Sequence, residues 1–223
     1  MRRRLFVVIA FGLIGVAILI SLGIWQLNRL AWKESVLAEI EARIGSAPVP
    51  VPAITDPVDD RYLPVSTNGT LQGEPVRILV SVQGSGPGYR LISVIEAEGR
   101  RLMVDRGFIA ESAGDAPEPT GPITVIGNLH WPDEIDGFTP SPDVARNIWY
   151  ARDVAALANH LGTEPILIVA REPITDGPVT PLPVTSEGIP NNHLGYAVQW
   201  FGLALVWLGM TAFLGWRITR RTA

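Results

Sequence analysis

LFVVIAFGLIGVAILISLGIWQL, Leu5 to Leu27, is a run of 23 residues with no Asp, Glu, Lys or Arg. About 20 helical residues cross a hydrocarbon core of about 30 Å, so this run suffices to span a bilayer. A second run of the same kind, Gly195 to Trp216, lies near the other end of the chain. The two runs decide the architecture: an α+β membrane protein with two transmembrane helices flanking the intervening domain. Arg2, Arg3 and Arg4 precede the first run and Arg217, Arg220 and Arg221 follow the second, whereas all 22 Asp and Glu fall between Glu34 and Glu187. Short basic flanks stay cytoplasmic, which predicts both termini inside and the acidic middle outside. The rival reading of the first run is a cleaved signal peptide, with Ser21-x-Gly23 as the cleavage site. Signal h-regions, however, run only about 7 to 15 residues. With no Arg- and Ser-rich transit segment before the span, the expected location is a bacterial inner membrane, the central domain being periplasmic.

Working outward, Val36, Ile40 and Ile44 recur every four residues beyond the first span, with Gly45 as the expected C-cap. A helix from Leu5 to Ile44 is roughly 60 Å long, so about half of it projects from the bilayer. The organisation read from the chain is a tail at 1–4, the first span at 5–27 and a helical extension at 28–45. An outer domain with Pro-rich linkers follows at 46–190, then the second span at 191–216 and a tail at 217–223. Within the outer domain, β-type segments are predicted at Tyr62 to Gly69, Val76 to Val82, Tyr89 to Glu96, Arg101 to Ile109, Ile123 to Trp131, Ile148 to Ala151 and Ile166 to Ala170. Glu98-Gly99 reads as a hairpin turn, and Asp153 and Gly162 as the caps of one short helix. Val49 to Pro57 and Thr175 to Pro190 read as irregular linkers, because proline interrupts both. Close spacing of strands with turn signals predicts a mostly antiparallel sheet, curled into a partial barrel or sandwich.

The chain has no cysteine, which removes disulfides, thiolate metal sites and covalent c-type haem attachment. A net charge of −4 argues against nucleic acid as a partner. Gly84-Ser-Gly-Pro-Gly88 lacks the Gly-Lys-Ser/Thr of a phosphate loop and reads as a turn. Asp133, Glu134 and Asp136 lack calcium-loop spacing, and His130 and His160 have no nucleophile or metal motif around them. No catalytic set is therefore named. His193 differs, because an ionisable residue opening a membrane span is a site hypothesis in itself. On a helix it shares a stripe with Tyr196, Ala197, Trp200, Ala204, Trp207 and Thr211, while Gly195, Gly202 and Gly209 lie opposite. The glycine stripe is expected to pack on the first span and the aromatic stripe to face a third party. Axial ligation of a haem iron by His193, with Tyr196 and Trp200 beside it, is one use of that stripe; an interfacial aromatic belt is the other. Trp25, Arg29 and Trp32 share a face at the outer end of the first span, where they contact lipid headgroups or a partner.

LGIWQLNRLAWK (Leu22 to Lys33) and NNHLGYAVQWFGLA (Asn191 to Ala204) resemble the motifs at the end of the first span and the start of the second in the Surfeit locus cytochrome oxidase assembly family. Between them GPGYRLISV (Gly86 to Val94), VDRGFIAE (Val104 to Glu111) and NIWYARDVAAL (Asn147 to Leu157) follow in the family's order. Asp105-Arg106-Gly107-Phe108 departs from the Asn-Arg-Gly-Trp that members more often carry, and Leu91 to Val94 lacks the usual Thr-Pro. The resemblance implies a non-enzymatic membrane chaperone that helps haem a enter subunit I of a haem–copper terminal oxidase, cytochrome c oxidase, in the respiratory chain. It also implies haem a as cofactor, His193 as iron ligand, and haem a synthase as a further partner. A structural adaptor that never touches haem and a membrane-tethered periplasmic enzyme are the alternative functions.

Overall fold

The computed structural model describes residues 2–114, 116, 117, 119–186 and 189–220; Met1 of the N-terminal tail and Arg221 to Ala223 of the C-terminal tail lie outside them. Two compact units are formed, one by the residues up to Glu39 together with those from Ser186 onward, the other by Ile40–Thr185.

The first unit is a pair of helices. α1 (Arg2–Ile44) is continuous through the predicted span and extension, and Gly45 closes it by donating its N–H to Glu41 O at 2.9 Å. The second helix of the pair, α3 in chain order, is His193–Arg220. Both are long and apolar enough to cross a membrane.

Their packing corrects the expected stripe assignment. A methyl group on Gly195, Gly202 or Gly209 would meet nothing within 4 Å, so the glycine stripe of α3 is open. The grooves are instead on α1. A side chain at Gly12 would overlap Thr211, one at Gly15 would overlap the Trp207 indole, and one at Gly23 would lie 2.6 Å from the Phe201 ring. Ala197 and Ala204 are buried in the same face of α3, and Trp207 Nε1 donates to Gly12 O at 3.2 Å. Small residues do set the approach of the two backbones, but they belong to the partner helix, and large side chains of α3 fill the gaps they leave. Most of the stripe that contains His193 therefore faces α1 rather than a third party.

The second unit is a curled sheet, mostly antiparallel as the strand pattern predicts. Its strands are β1 (Val49–Pro50), β2 (Pro64–Val82), β3 (Gly86–Ala97), β4 (Arg100–Ala110), β5 (Ile123–Leu129), β6 (Ile148–Trp149) and β7 (Leu167–Ala170), with α2 (Val154–Leu161) before the last. The pairings of β1 and β6 to β2 and of β7 to β4 are parallel. β2 pairs β5 through Pro64 to Gly69 and β3 from Thr70 onward, β3 pairs β4, β4 pairs β7 and β7 pairs β5. The pairing path thus returns to β2, but to a different half of it, which leaves a partial barrel rather than a uniformly closed one. At the change of partner a Cβ on Gly69 would overlap Glu96 O, so only glycine allows the strands to approach there.

Two segments read separately from the sequence, Tyr62 to Gly69 and Val76 to Val82, are one strand. The turn residues between them, including Gly73 at φ +71° and Pro75, form a bulge between Gln72 and Val76 rather than a break. The Pro-rich stretch after Val49 is also not wholly irregular. β1 lies parallel to Val65 and Ser66, because proline is tolerated on a sheet edge. Glu98 and Gly99 both take positive φ and make the predicted hairpin. The α2 caps are as predicted: Asp153 accepts from Ala156 N at 3.0 Å, and Gly162 sits in the left-handed region.

Alternation along β4 and β7 builds two cores. Leu102, Val104 and Ile168 point inward to Val65, Ile95, Val125 and Leu129. Met103, Leu167 and Val169 point outward to Trp149, Val154, Leu157 and Ala158, which α2 and β6 bring over the sheet. β7 is buried on both faces, which explains its unbroken Leu-Ile-Val-Ala run.

Candidate functional site

His193 opens α3 and is partly exposed. Its Nδ1 lies 2.8 Å from Oε1 of Gln26, a residue of α1 that is 9% exposed. With Oε1 facing the ring, Nδ1 is the atom that must donate in this bond, since a carboxamide oxygen only accepts; the donor capacity toward a metal is then that of Nε2. Among the described residues, no hydrogen bond engages that Nε2. Two residues earlier, Asn191 Oδ1 is buried and, among the described residues, has no hydrogen-bond partner. Tyr196 is exposed and Trp200 partly exposed on the same side of α3, one and two turns on from His193. An imidazole nitrogen on the same side of the helix as two aromatic rings is a donor set that would suit a haem. The structure thus leaves His193, Tyr196 and Trp200 accessible at the end of a stripe whose remainder is consumed by α1.

Trp25, Arg29 and Trp32 lie on α1 and are exposed. Trp25 and Trp32 are about half exposed, and the Arg29 guanidinium carbon sits 3.9 Å from the centre of the Trp32 ring. The stacked cation and two indoles form an amphipathic strip suited to a headgroup boundary or a protein partner.

The sheet domain holds a buried ionic cluster that no sequence motif announces. Asp105 is fully buried on β4, where Arg90 Nε approaches its Oδ2 at 2.9 Å and Arg152 at 3.1 Å. Its Oδ1 accepts from Gly107 N at 3.0 Å. Arg152 also grips Glu134 through its backbone N–H, at 2.9 Å, and its guanidinium. Burial pushes the Glu134 carboxyl up, but the hydrogen bonds and charge of Arg152 outweigh it and hold the group below its ordinary range. Arg90 reaches Leu182 O at 2.7 Å, and Phe108 and Thr180 exchange backbone hydrogen bonds at 2.7 and 2.8 Å. These contacts tie the predicted linker onto the sheet. The acidic turn at Asp133 to Asp136 is thus split in role: Glu134 belongs to the cluster, while Asp136 caps its own turn by accepting from Phe138 N at 2.9 Å.

The two remaining histidines pack in this domain. His160 meets Trp149 at 5.4 Å between ring centres, and His130 stacks on Tyr62 at 5.5 Å. Burial, with Arg152 and Arg61 nearby, lowers the His130 pKa to about 4, so it stays neutral where an ordinary histidine titrates. A separate cleft of about 610 Å³ is lined by Glu74, Arg77, Tyr89, Leu91, Ile109 and Glu111 among others, none of them a residue singled out from the sequence.

Sequence reasoning missed Gln26 as well as the ionic cluster. The signal for Gln26 was present: it is the only carboxamide between Leu5 and Leu27. The cluster had none, because Arg90, Asp105, Glu134 and Arg152 are scattered over four segments.

The profile of the SURF1 family matches residues 13–205. The chain is 30% identical to Surfeit locus protein 1 of Xenopus tropicalis over 82% of this chain and 67% of the relative, and 30% identical to that of Homo sapiens over 82% and 69%. It is 27% identical to a SURF1-like protein of Rickettsia felis, over 92% of this chain and 93% of the relative. A match that runs from within the first span to within the second, joined to relatives at this identity, shows that the chain belongs to the SURF1 family.

Proposed function

We propose that this protein is a non-enzymatic assembly factor for a haem–copper terminal oxidase, which receives haem a at His193 and delivers it to subunit I of cytochrome c oxidase. The observation that carries this reading is the Gln26–His193 hydrogen bond, which leaves Nε2 as the available donor at the start of α3 in a member of the SURF1 family. His193 would hold a haem through its iron, which would supply a metal centre able to take an imidazole nitrogen as ligand. The chain's own part is to present that nitrogen and to flank it with Tyr196 and Trp200. It also holds the site at a membrane boundary, where an apolar macrocycle is shielded from water.

In this reading α1 and α3 cross the bacterial inner membrane, with both termini cytoplasmic as the flanking arginines dictate, and the curled sheet is periplasmic. The Trp25, Arg29 and Trp32 strip then meets lipid headgroups or subunit I, and haem a synthase is the natural donor of the cargo. An adaptor without haem would use the Gln26–His193 bond only as a link between the two helices.

The test is deletion of the gene in its own host. Membranes should retain subunit I polypeptide but carry severalfold less haem a per subunit I, with recovery from a plasmid copy. An unchanged haem a to subunit I ratio would contradict the assembly role.

A further inference from the structure

We propose that Gln26 is a positioning residue for haem binding: by accepting the Nδ1 proton of His193 it fixes the ring's tautomer and orientation, so that Nε2 is the ligand atom. This rests on the haem reading given above and adds the device that makes the histidine competent. Gln26 is a buried carboxamide inside an otherwise apolar run, where a polar group without a partner is unfavourable. Its oxygen finds a partner in His193, 167 residues away on the other helix of the pair, at 2.8 Å. The partner atom is also significant. An imidazole whose Nδ1–H is held by a fixed acceptor exposes one lone pair in one direction, and such supports raise the basicity of the ligand nitrogen. Gly23, three residues before Gln26, lets the Phe201 ring sit against α1, so the helices approach closely enough just beside this bond for a glutamine to reach across.

A hydrogen bond that served only to glue two helices would affect folding and leave the imidazole's chemistry alone. The first measurement therefore uses haem-free protein in detergent with ¹⁵N-labelled histidine. The wild type should show His193 with Nδ1 protonated and Nε2 bare, and Gln26→Leu should shift the ring toward Nε2–H. Wild-type His193 with Nε2–H dominant would overturn the proposal without any variant. The second measurement loads haem a and compares wild type, Gln26→Leu, Gln26→Glu and His193→Ala per folded protein. Gln26→Leu should weaken haem binding about 10- to 100-fold, the usual cost of removing an outer partner of a ligand histidine. Gln26→Glu, a stronger acceptor, should retain haem and lower its reduction potential. If His193→Ala loses haem while Gln26→Leu matches wild type in affinity and potential, the positioning role falls and the ligand reading stands. If His193→Ala and wild type hold equal haem, the ligand reading falls and takes this proposal with it.

Discussion

Asp105→Ala is expected to destabilise the sheet domain by about 3–5 kcal/mol, the range for removing one member of a buried ionic group and leaving its partners uncompensated. Arg90 and Arg152 would both lose the carboxylate they share, and Gly107 N would lose its acceptor. In a chain of 150–250 residues each kcal/mol moves Tm by about 2–4 °C, so thermal unfolding of the purified protein should fall by roughly 6–20 °C. Asp105→Asn keeps an oxygen for one arginine and for Gly107 N, and should cost less than half as much by the same measurement. Equal losses from Ala and Asn would show that charge alone, not hydrogen-bond geometry, matters at this position. A loss below about 1 kcal/mol from Ala, the scale of an exposed pair, would mean that the cluster is solvated.

The second large effect is expected in the helix pair. Gly15→Leu places a branched side chain where the Trp207 indole lies, and the indole's hydrogen bond to Gly12 O anchors that contact. Overpacking of this kind costs about 1–3 kcal/mol even where neighbours can adjust, and here the neighbour is a rigid ring. Membrane fractions should contain severalfold less folded protein, measured by fluorescence-detected gel filtration in detergent. Gly202→Leu is the control, because its position meets nothing within 4 Å. It should leave the yield and the elution profile as in the wild type. Loss from Gly202→Leu with none from Gly15→Leu would reverse the packing described above.

The contrast between these glycines shows where sequence stops being informative. Periodicity places Gly195, Gly202 and Gly209 on one stripe, and small residues do mark close helix approach, but a stripe does not reveal which helix supplies the groove. Gly12, Gly15 and Gly23 were equally visible and were the ones used, because Thr211, Trp207 and Phe201 are large enough to fill the gaps. Local signals fared better. Asp153 and Gly162 bracket α2, and Glu98-Gly99 makes a hairpin, since each depends on a backbone conformation fixed within a few residues. β2 was divided because Gly73 and Pro75 carry the same local signal whether they turn a chain or bulge a strand, and only the pairing with β3 distinguishes the two. His193 stood out in the sequence by its position at the start of the second apolar run. Its partner Gln26 depends on a contact between residues 167 apart, which no local pattern encodes.

Ligation of haem by His193 is tested most directly by removal of the imidazole. Wild type and His193→Ala, each co-expressed with the enzymes that make haem a and purified in detergent, should accumulate to similar levels, because the substitution removes a donor at a helix end and little buried volume. Soret absorbance per protein decides the matter. A haem a band should be present in the wild type and lost from His193→Ala, and equal Soret absorbance in the two proteins would contradict ligation by His193.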